Sequence, residues 1–463
     1  MAWSNRARAV VWTIALGLLT GCTGYRPVPL DQAAVDAALT PPPLEAVKIA
    51  AARIQHPLLQ PLVIDGREGF APDEIAVMAV IASPELRALR DRRGLARAQL
   101  LQAGILPNPQ LSYALDRPHG NSDPTLVTAS NLGLSWELTA LLARHDTVAA
   151  AKAGARAVDL DIAWQEWQVA QDARLRTFRL LSLEPQLPLA REIEADLADN
   201  LDLIKRALAL GHKTGADLTT AAQAWGQAQD NRFSLEKQLH AERLALNLSL
   251  GLPAEHELRL KPAVDFAAGP AGDNVSAAAL LQGLELRRLD LVALTLGYES
   301  QEAALRAAVK QQFPKISLSL SKARDTSAIK TRGFGVAVDL PFFDHNQGPI
   351  AIAKATRQQL FDEYVARVAE ARAEVVQILD ELTAARQHLK AIDESLPGFK
   401  QLVASFEKAW QTRNADVAGY REARGALAMR RMDQSQAWQS VRELEVALEI
   451  ATGRPLLTRN PAP

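Results

Sequence analysis

The sequence has one cysteine, Cys22, so disulfides within the chain are excluded. It has no excess of either charge: 52 basic and 53 acidic residues leave a net charge of −1, without the basic surplus that a nucleic-acid surface needs. Aromatic residues are 5%, too few for a thick sheet core, while abundant alanine suits long, closely packed helices. The eight histidines include no His-x-x-x-His pair, and no Gly-rich phosphate loop follows a strand pattern. His212, His345 and His388 read as solvent-facing helix or loop residues. No catalytic set, resident metal site or cofactor is therefore expected.

The start of the chain also falls short of a membrane anchor helix. Arg6 and Arg8 precede an apolar run, Val10 to Leu19, of about ten residues, whereas a helical span takes about twenty. The pattern is that of a cleaved secretory signal over residues 1–21. Leu19-Thr20-Gly21-Cys22 resembles the lipobox of bacterial lipoproteins. That motif implies cleavage before Cys22 and a diacylglycerol on its thiol, followed by a lipidated arm over 22–71.

What the chain has in quantity is internal repetition. Pro109-Gln110-Leu111-Ser112 returns as Pro314-Lys315-Ile316-Ser317, and Leu134-Ser135-Trp136-Glu137-Leu138 as Val336-Ala337-Val338-Asp339-Leu340. Ala216-Asp217-Leu218 returns as Ala415-Asp416-Val417, and Gly251-Leu252-Pro253 as Gly453-Arg454-Pro455. Four landmarks in one order, each about 200 residues apart, mark two copies of one unit, over 72–261 and 262–455 with a tail at 456–463.

Each copy reads helix, two strands, two very long helices. Ser83-Pro84 opens a helix to about Ile105, stopped by Pro107-Asn108-Pro109. A period of two then spans about 109–117 and 131–138, and again about 315–323 and 332–340. Leu111, Tyr113 and Leu115 alternate with Ser112, Ala114 and Asp116; Phe334, Val336, Val338 and Leu340 alternate with Gly333, Gly335, Ala337 and Asp339. Strands of about nine residues are long enough to cross an outer membrane at a tilt, with the polar face on water. Four strands cannot close around a lumen, so closure requires several chains, and three copies would supply twelve.

After each strand pair the period becomes helical. Leu360, Tyr364, Val368, Ala371, Val375, Leu379 and Leu382 follow at steps of three or four, a coiled-coil seam. Long helices are expected at about 139–210 and 216–250, then about 347–411 and 416–452. The first, at 1.5 Å per residue, would be about 105 Å long. Short elements near 72–82 and 262–287 fill the gap between stacked shorter helices. Pro185, Pro188 and Pro397 predict kinks or local breaks.

The pattern resembles the TolC family of outer-membrane efflux ducts over about residues 70–455. The carriers are Ser83-Pro84-Glu85-Leu86-Arg87-Ala88, Leu106-Pro107-Asn108-Pro109-Gln110-Leu111, and Gly211 with Asp217 six residues on. Leu340-Pro341-Phe342-Phe343-Asp344-His345-Asn346-Gln347-Gly348 is similar to the same junction in members that export heavy-metal ions. The resemblance implies a mainly α chain with a small membrane β-barrel. It also implies a homotrimer in the outer membrane of a Gram-negative bacterium, with a twelve-stranded barrel on a twelve-helix coiled-coil tunnel in the periplasm. A periplasmic adaptor and an inner-membrane pump would dock at its far end, with outer-membrane lipid around the barrel and no nucleic acid.

On that resemblance Asp416 and Asp217 would ring a periplasmic aperture, and Gly211, Gly215, Arg413 and Asn414 would form the adaptor-docking tips. From position alone each aspartate also suits the start of a returning helix, where a carboxylate meets the positive end of the dipole. Trp410 stands six before Asp416, where the first copy has glycine; Asn414 accepts the left-handed conformation that the reversal needs. Trp136, Phe342 and Phe343 read as membrane-interface anchors, with core packing as the other reading. Function stays open between a small-molecule or metal-ion exit duct, an outer-membrane part of a protein secretion system, and a periplasmic coiled-coil lipoprotein adaptor. An adaptor would need a compact β module, which the sequence does not contain.

Overall fold

The computed structural model describes residues 24–119, 125–262, 266, 276–412 and 417–455. The signal and Cys22 lie outside them, as do Arg413, Asn414 and Asp416. The chain divides into two compact units, Met1–Pro41 and Pro42–Pro463. In the first, α1 (Gln32–Leu39) is capped by Asp31, whose carboxylate accepts from the Ala34 amide at 2.8 Å.

The second unit follows the duplicated plan. A short α2 (Leu44–Ala52) precedes α3 (Pro72–Ala82) and α4 (Pro84–Gly104). Next come β1 (Gln110–Asp116), β2 (Ala129–Glu137), the 70-residue α5 (Ala140–Ala209) and α6 (Gly215–Ser249). The second copy has α7 (Ala277–Leu281), α8 (Leu284–Arg287), α9 (Leu289–Lys310), β3 (Lys315–Arg324) and β4 (Lys330–Asp339). It ends with the 65-residue α10 (Gln347–Gln411) and α11 (Val417–Thr452).

Each long helix runs beside two shorter ones. At the sheet end of α5, Arg144 donates to the Gly104 carbonyl of α4 at 2.8 Å and Ser300 of α9 donates to the Ala150 carbonyl at 2.8 Å. Further along, Arg191 bonds Glu236 of α6 and Arg421 of α11 bonds Asp199. The α10 rod pairs likewise with α9 through Arg357 and Glu302, then with α11 through Arg386 and Glu445.

Of the kinks or local breaks expected at Pro185, Pro188 and Pro397, no break occurs: α5 and α10 run through all three. Packing along a rod outweighs the one hydrogen bond that each proline removes. Beside Pro185 a buried polar cluster ties α5 to α11. The Ser182 and Ser435 hydroxyls are 3.0 Å apart, and Gln186 donates to the Ser182 carbonyl at 3.0 Å.

The copies are joined midway along the rods. The fully buried Glu449 of α11 accepts from Arg174 of α5 at 2.7 Å and from Gln171 at 3.0 Å, while Arg174 also reaches Asp73 of α3 at 3.0 Å. The repeated Gly-x-Pro landmarks end the return helices here. Gly251 and Gly453 both adopt φ near +64°, at 64° and 63°. A Cβ on Gly251 would stand 3.1 Å from the Ala82 carbonyl oxygen, and one on Gly453 3.1 Å from that of Arg287. Left-handed backbone and close approach together explain glycine at both.

Candidate functional site

The four strands form one antiparallel sheet in the order β1-β2-β3-β4, so both copies contribute to a single wall. The register turns the alternation in each strand into continuous rows. On one face Leu111, Leu134, Leu320 and Phe334 stand in line, as do Trp136, Leu318 and Val336, and Ile316 with Val338. These side chains are largely unburied; Leu111 is 72% and Phe334 68% exposed. An apolar row left open on a single subunit has to meet something apolar.

The other face is small and uncharged over the middle of the sheet, with Asp116, Glu137, Lys315 and Asp339 at its strand ends. One row is Ser112, Gly133, Ser321 and Gly333; the next is Gln110, Ser135, Ser319 and Gly335. Ser112, Ser321 and Ser319 each lean over a glycine opposite. A Cβ on Gly133, Gly333 or Gly335 would meet the hydroxyl of Ser112, Ser321 or Ser319 at 2.6, 2.7 or 2.7 Å. Ser319 donates to the Gly335 carbonyl at 3.3 Å. These two rows thus stay low and present hydroxyls without charge, a surface suited to water.

Trp136 lies at the end of β2, half-buried, with its indole N–H donating to the Pro107 carbonyl at 2.8 Å. Phe342 and Phe343, between β4 and α10, are 75% and 94% exposed. The three aromatics therefore stand where the sheet gives way to the helices, one pinned by a hydrogen bond and two open.

The far end of α5 is a compact reversal. Gly211 sits at φ 77°, the His212 amide bonds back to the Ala207 carbonyl at 2.9 Å, and the Arg206 and Leu208 carbonyls of the helix end accept from the Leu210 and Gly211 amides. Thr214 caps α6, accepting from the Asp217 amide at 3.2 Å. The Asp217 carboxylate accepts from the Thr214 amide at 2.8 Å and from its hydroxyl at 2.7 Å, closing a capping box. Those two bonds, then Lys213 at 3.6 Å, hold the Asp217 carboxyl below the ordinary aspartate range. Gly215, the first residue of α6, has open space where a Cβ would stand. At the corresponding end of the second copy, Trp410 stacks on Tyr420 with ring centroids 5.6 Å apart and planes 2° from parallel.

Two buried titratable groups have no signature in the sequence. His56, from the segment before α3, donates through Nε2 to the Ala163 carbonyl at 2.9 Å, while its Nδ1 accepts from the Leu58 and Leu59 amides. Burial drives its pKa down, the more so because a doubly protonated ring would lose both amide bonds. Asp146 of α5 lies between Lys310 at 2.6 Å and Arg306 at 3.3 Å, and those hydrogen bonds lower its pKa. A lone histidine in a non-periodic segment, or one aspartate on a long helix, gives no pattern by which sequence could find its partner.

Among the described residues no group of three or more His, Cys, Asp or Glu is placed to hold a metal ion, and no helix is long and apolar enough to cross a membrane. Residues 280–454 match a family described as outer membrane efflux protein. The cobalt-zinc-cadmium resistance protein CzcC of Cupriavidus metallidurans is 24% identical over 307 residues, spanning 65% of this chain and 70% of the relative. Among solved structures, the fold is similar to that of CusC, with a TM-score of 0.64, 18% identity, and coverage of 83% of this chain and 92% of the other. It is also similar to the CmeC outer membrane channel of Campylobacter jejuni, with a TM-score of 0.66, 15% identity, and coverage of 82% and 85%. The open MtrE outer membrane channel of Neisseria gonorrhoeae gives a TM-score of 0.64 at 18% identity, covering 83% of this chain and 89% of the other.

Proposed function

We infer that this chain, an outer membrane efflux protein of the TolC type, is the outer-membrane exit duct of a tripartite efflux pump in a Gram-negative bacterium. The observation that carries the reading is the two-faced sheet: apolar rows on one side, hydroxyl and glycine rows on the other, set on helices of 70 and 65 residues. An open four-stranded sheet leaves both edges and its apolar face unsatisfied. Three copies edge to edge give a twelve-stranded barrel with the apolar rows on lipid and the serine rows on water. Twelve rods from three chains continue the lumen as a tunnel about 100 Å long. The protein is a conduit and not an enzyme.

Partners follow from that placement. A periplasmic adaptor meets the reversals at Gly211 to Gly215 and at Arg413-Asn414, and an inner-membrane pump supplies cargo. A diacylated Cys22 adds a lipid anchor to the barrel. Asp416, and in a lesser degree Asp217, gives the aperture a negative ring; at an effective dielectric of about 20, two carboxylates about 8 Å apart repel by about 2 kcal/mol before salt screening. The capping bonds of Asp217 commit it mainly to the turn. Divalent metal ions are the favoured cargo, on the Phe343 to Gly348 junction and the likeness to a cobalt-zinc-cadmium resistance protein. Planar-bilayer recording tests the duct: purified protein should give unitary steps with a preference for cations. A chain that binds bilayers without conducting would be a scaffold or an adaptor instead.

A further inference from the structure

The apolar face of the sheet does not stay apolar to its end. Beyond the row of Leu111, Leu134, Leu320 and Phe334, the next row pairs Lys322 directly with Arg332, and the one after pairs Arg324 directly with Lys330. All four side chains are exposed. Successive rows on one face are about 6.8 Å apart and directly opposed residues about 5 Å apart, so four cations occupy a patch about 7 Å by 5 Å between their Cα atoms. Like charges directly opposite each other destabilise a hairpin, and here two such pairs are stacked.

Among the described residues nothing nearby offsets them. No carboxylate among the described residues lies within ion-pair distance of any of the four. The hairpin's own acids are Asp339, at the opposite end, and Asp325, whose Oδ1 is taken by the Ser327 and Ile329 amides of the turn at 2.9 Å each. The reverse face of the same rows is neutral, with Ser321, Gly333, Ala323 and Thr331. The charge is thus confined to the side that carries the apolar rows, and it begins where those rows end.

We propose that Lys322, Arg324, Lys330 and Arg332 form a binding site for a phosphate-bearing lipid headgroup of the outer leaflet. The inference rests on the duct reading, which puts the apolar rows on hydrocarbon and the strand tips outermost. Acyl chains then lie along Leu320, Phe334 and Leu134, and the headgroup phosphates meet the two cationic rows above them. Tyr113 and Leu132 complete the first of those rows, giving a ring and an aliphatic surface beside the charges. An anionic lipid suits this site better than a soluble anion because charge and apolar surface share one face. Multiple phosphates suit it better than one, because two cation pairs are presented. Bound phosphate would also remove the like-charge repulsion, so the lipid would tighten the hairpin at a subunit's outer edge.

The test uses full-length protein purified in mild detergent and stripped of lipid. Trimer mass and bilayer conductance are measured first; if the unmodified chain fails either, the duct reading fails before any lipid is added. Binding is then measured with fluorescent lipid A bearing two phosphates, with the fully dephosphorylated lipid, and with inorganic phosphate as competitor. The diphosphorylated lipid should bind at least tenfold tighter than the dephosphorylated one, and more weakly as salt rises. Lys322→Gln with Arg332→Gln should weaken it roughly tenfold, and adding Arg324→Gln and Lys330→Gln should abolish the preference for phosphate. Lys322→Arg with Lys330→Arg, which keeps the charges, should retain it. Equal binding of the dephosphorylated lipid, unchanged binding by the fourfold glutamine variant, or displacement by millimolar inorganic phosphate would each overturn the proposal, the last by making the site one for a soluble anion.

Discussion

Placing one arginine on either side of a single strand pair separates the two faces of the wall. Val336 is 54% exposed in one subunit and stands in the row of Trp136 and Leu318, midway along β4 between the basic pair at Arg332 and the strand end at Asp339. Val336→Arg therefore sets a charge against the middle of the hydrocarbon, at a cost of about 2–4 kcal/mol per chain. At about 1.4 kcal/mol per decade, the inserted population should drop by a factor of about thirty or more. Val338→Arg, one row nearer the helices, should cost less because its guanidinium reaches the interface. Ser319→Arg is the counterpart. Its Cβ starts beside Gly335, which has no side chain to obstruct it, and the arginine extends into water. The assay is the yield of heat-modifiable trimer from isolated outer membranes. Equal losses for Val336→Arg and Ser319→Arg, or wild-type yield for Val336→Arg, would refute the assignment of faces.

Further outcomes follow from other contacts. Cys22→Ser should lose labelling by radioactive fatty acid; undiminished labelling would place the lipid elsewhere. Arg174→Met leaves the buried Glu449 carboxylate without its guanidinium and should cost about 3–5 kcal/mol, seen as a lower dissociation temperature of the trimer in detergent. Because its pKa is lowered on folding, Asp217 stabilises the tip above the ordinary aspartate pKa, and that contribution disappears as pH falls through the depressed value. Proteolysis near Gly211 should thus rise on acidification in the wild type, and be raised already at neutral pH and pH-insensitive in Asp217→Asn. Asp416→Asn should weaken cation preference in single-channel records more than Asp217→Asn; no change from either variant would return both residues to capping alone.

Much of this architecture is legible in the sequence because it is periodic. The alternation in 315–323 and 332–340 falls on β3 and β4, and the three-and-four spacing from Leu360 onward lies within α10. Turn chemistry is half legible: Gly211 and Asp217 stand out in the sequence, but Thr214, whose hydroxyl is the cap itself, does not. The prolines mark no helix end, since a local rule about hydrogen bonding cannot see a neighbouring rod. Least legible were contacts fixed by pairing across long separations. Lys322 and Arg332 acquire their meaning only when the register sets them opposite each other, and Glu449 only when α11 delivers it to Arg174, 275 residues earlier.

The central claim, that the sheet is a wall with lipid on one side and water on the other, is tested most directly by walking a spin label along β3. Single cysteines at residues 316 to 321 of the full-length chain, in bilayers, would be read for collision with oxygen and with a water-soluble nickel chelate. The account predicts a strict period of two: positions 316, 318 and 320 open to oxygen and shielded from nickel, positions 317, 319 and 321 the reverse. Nickel access at every position, or no alternation, would contradict it.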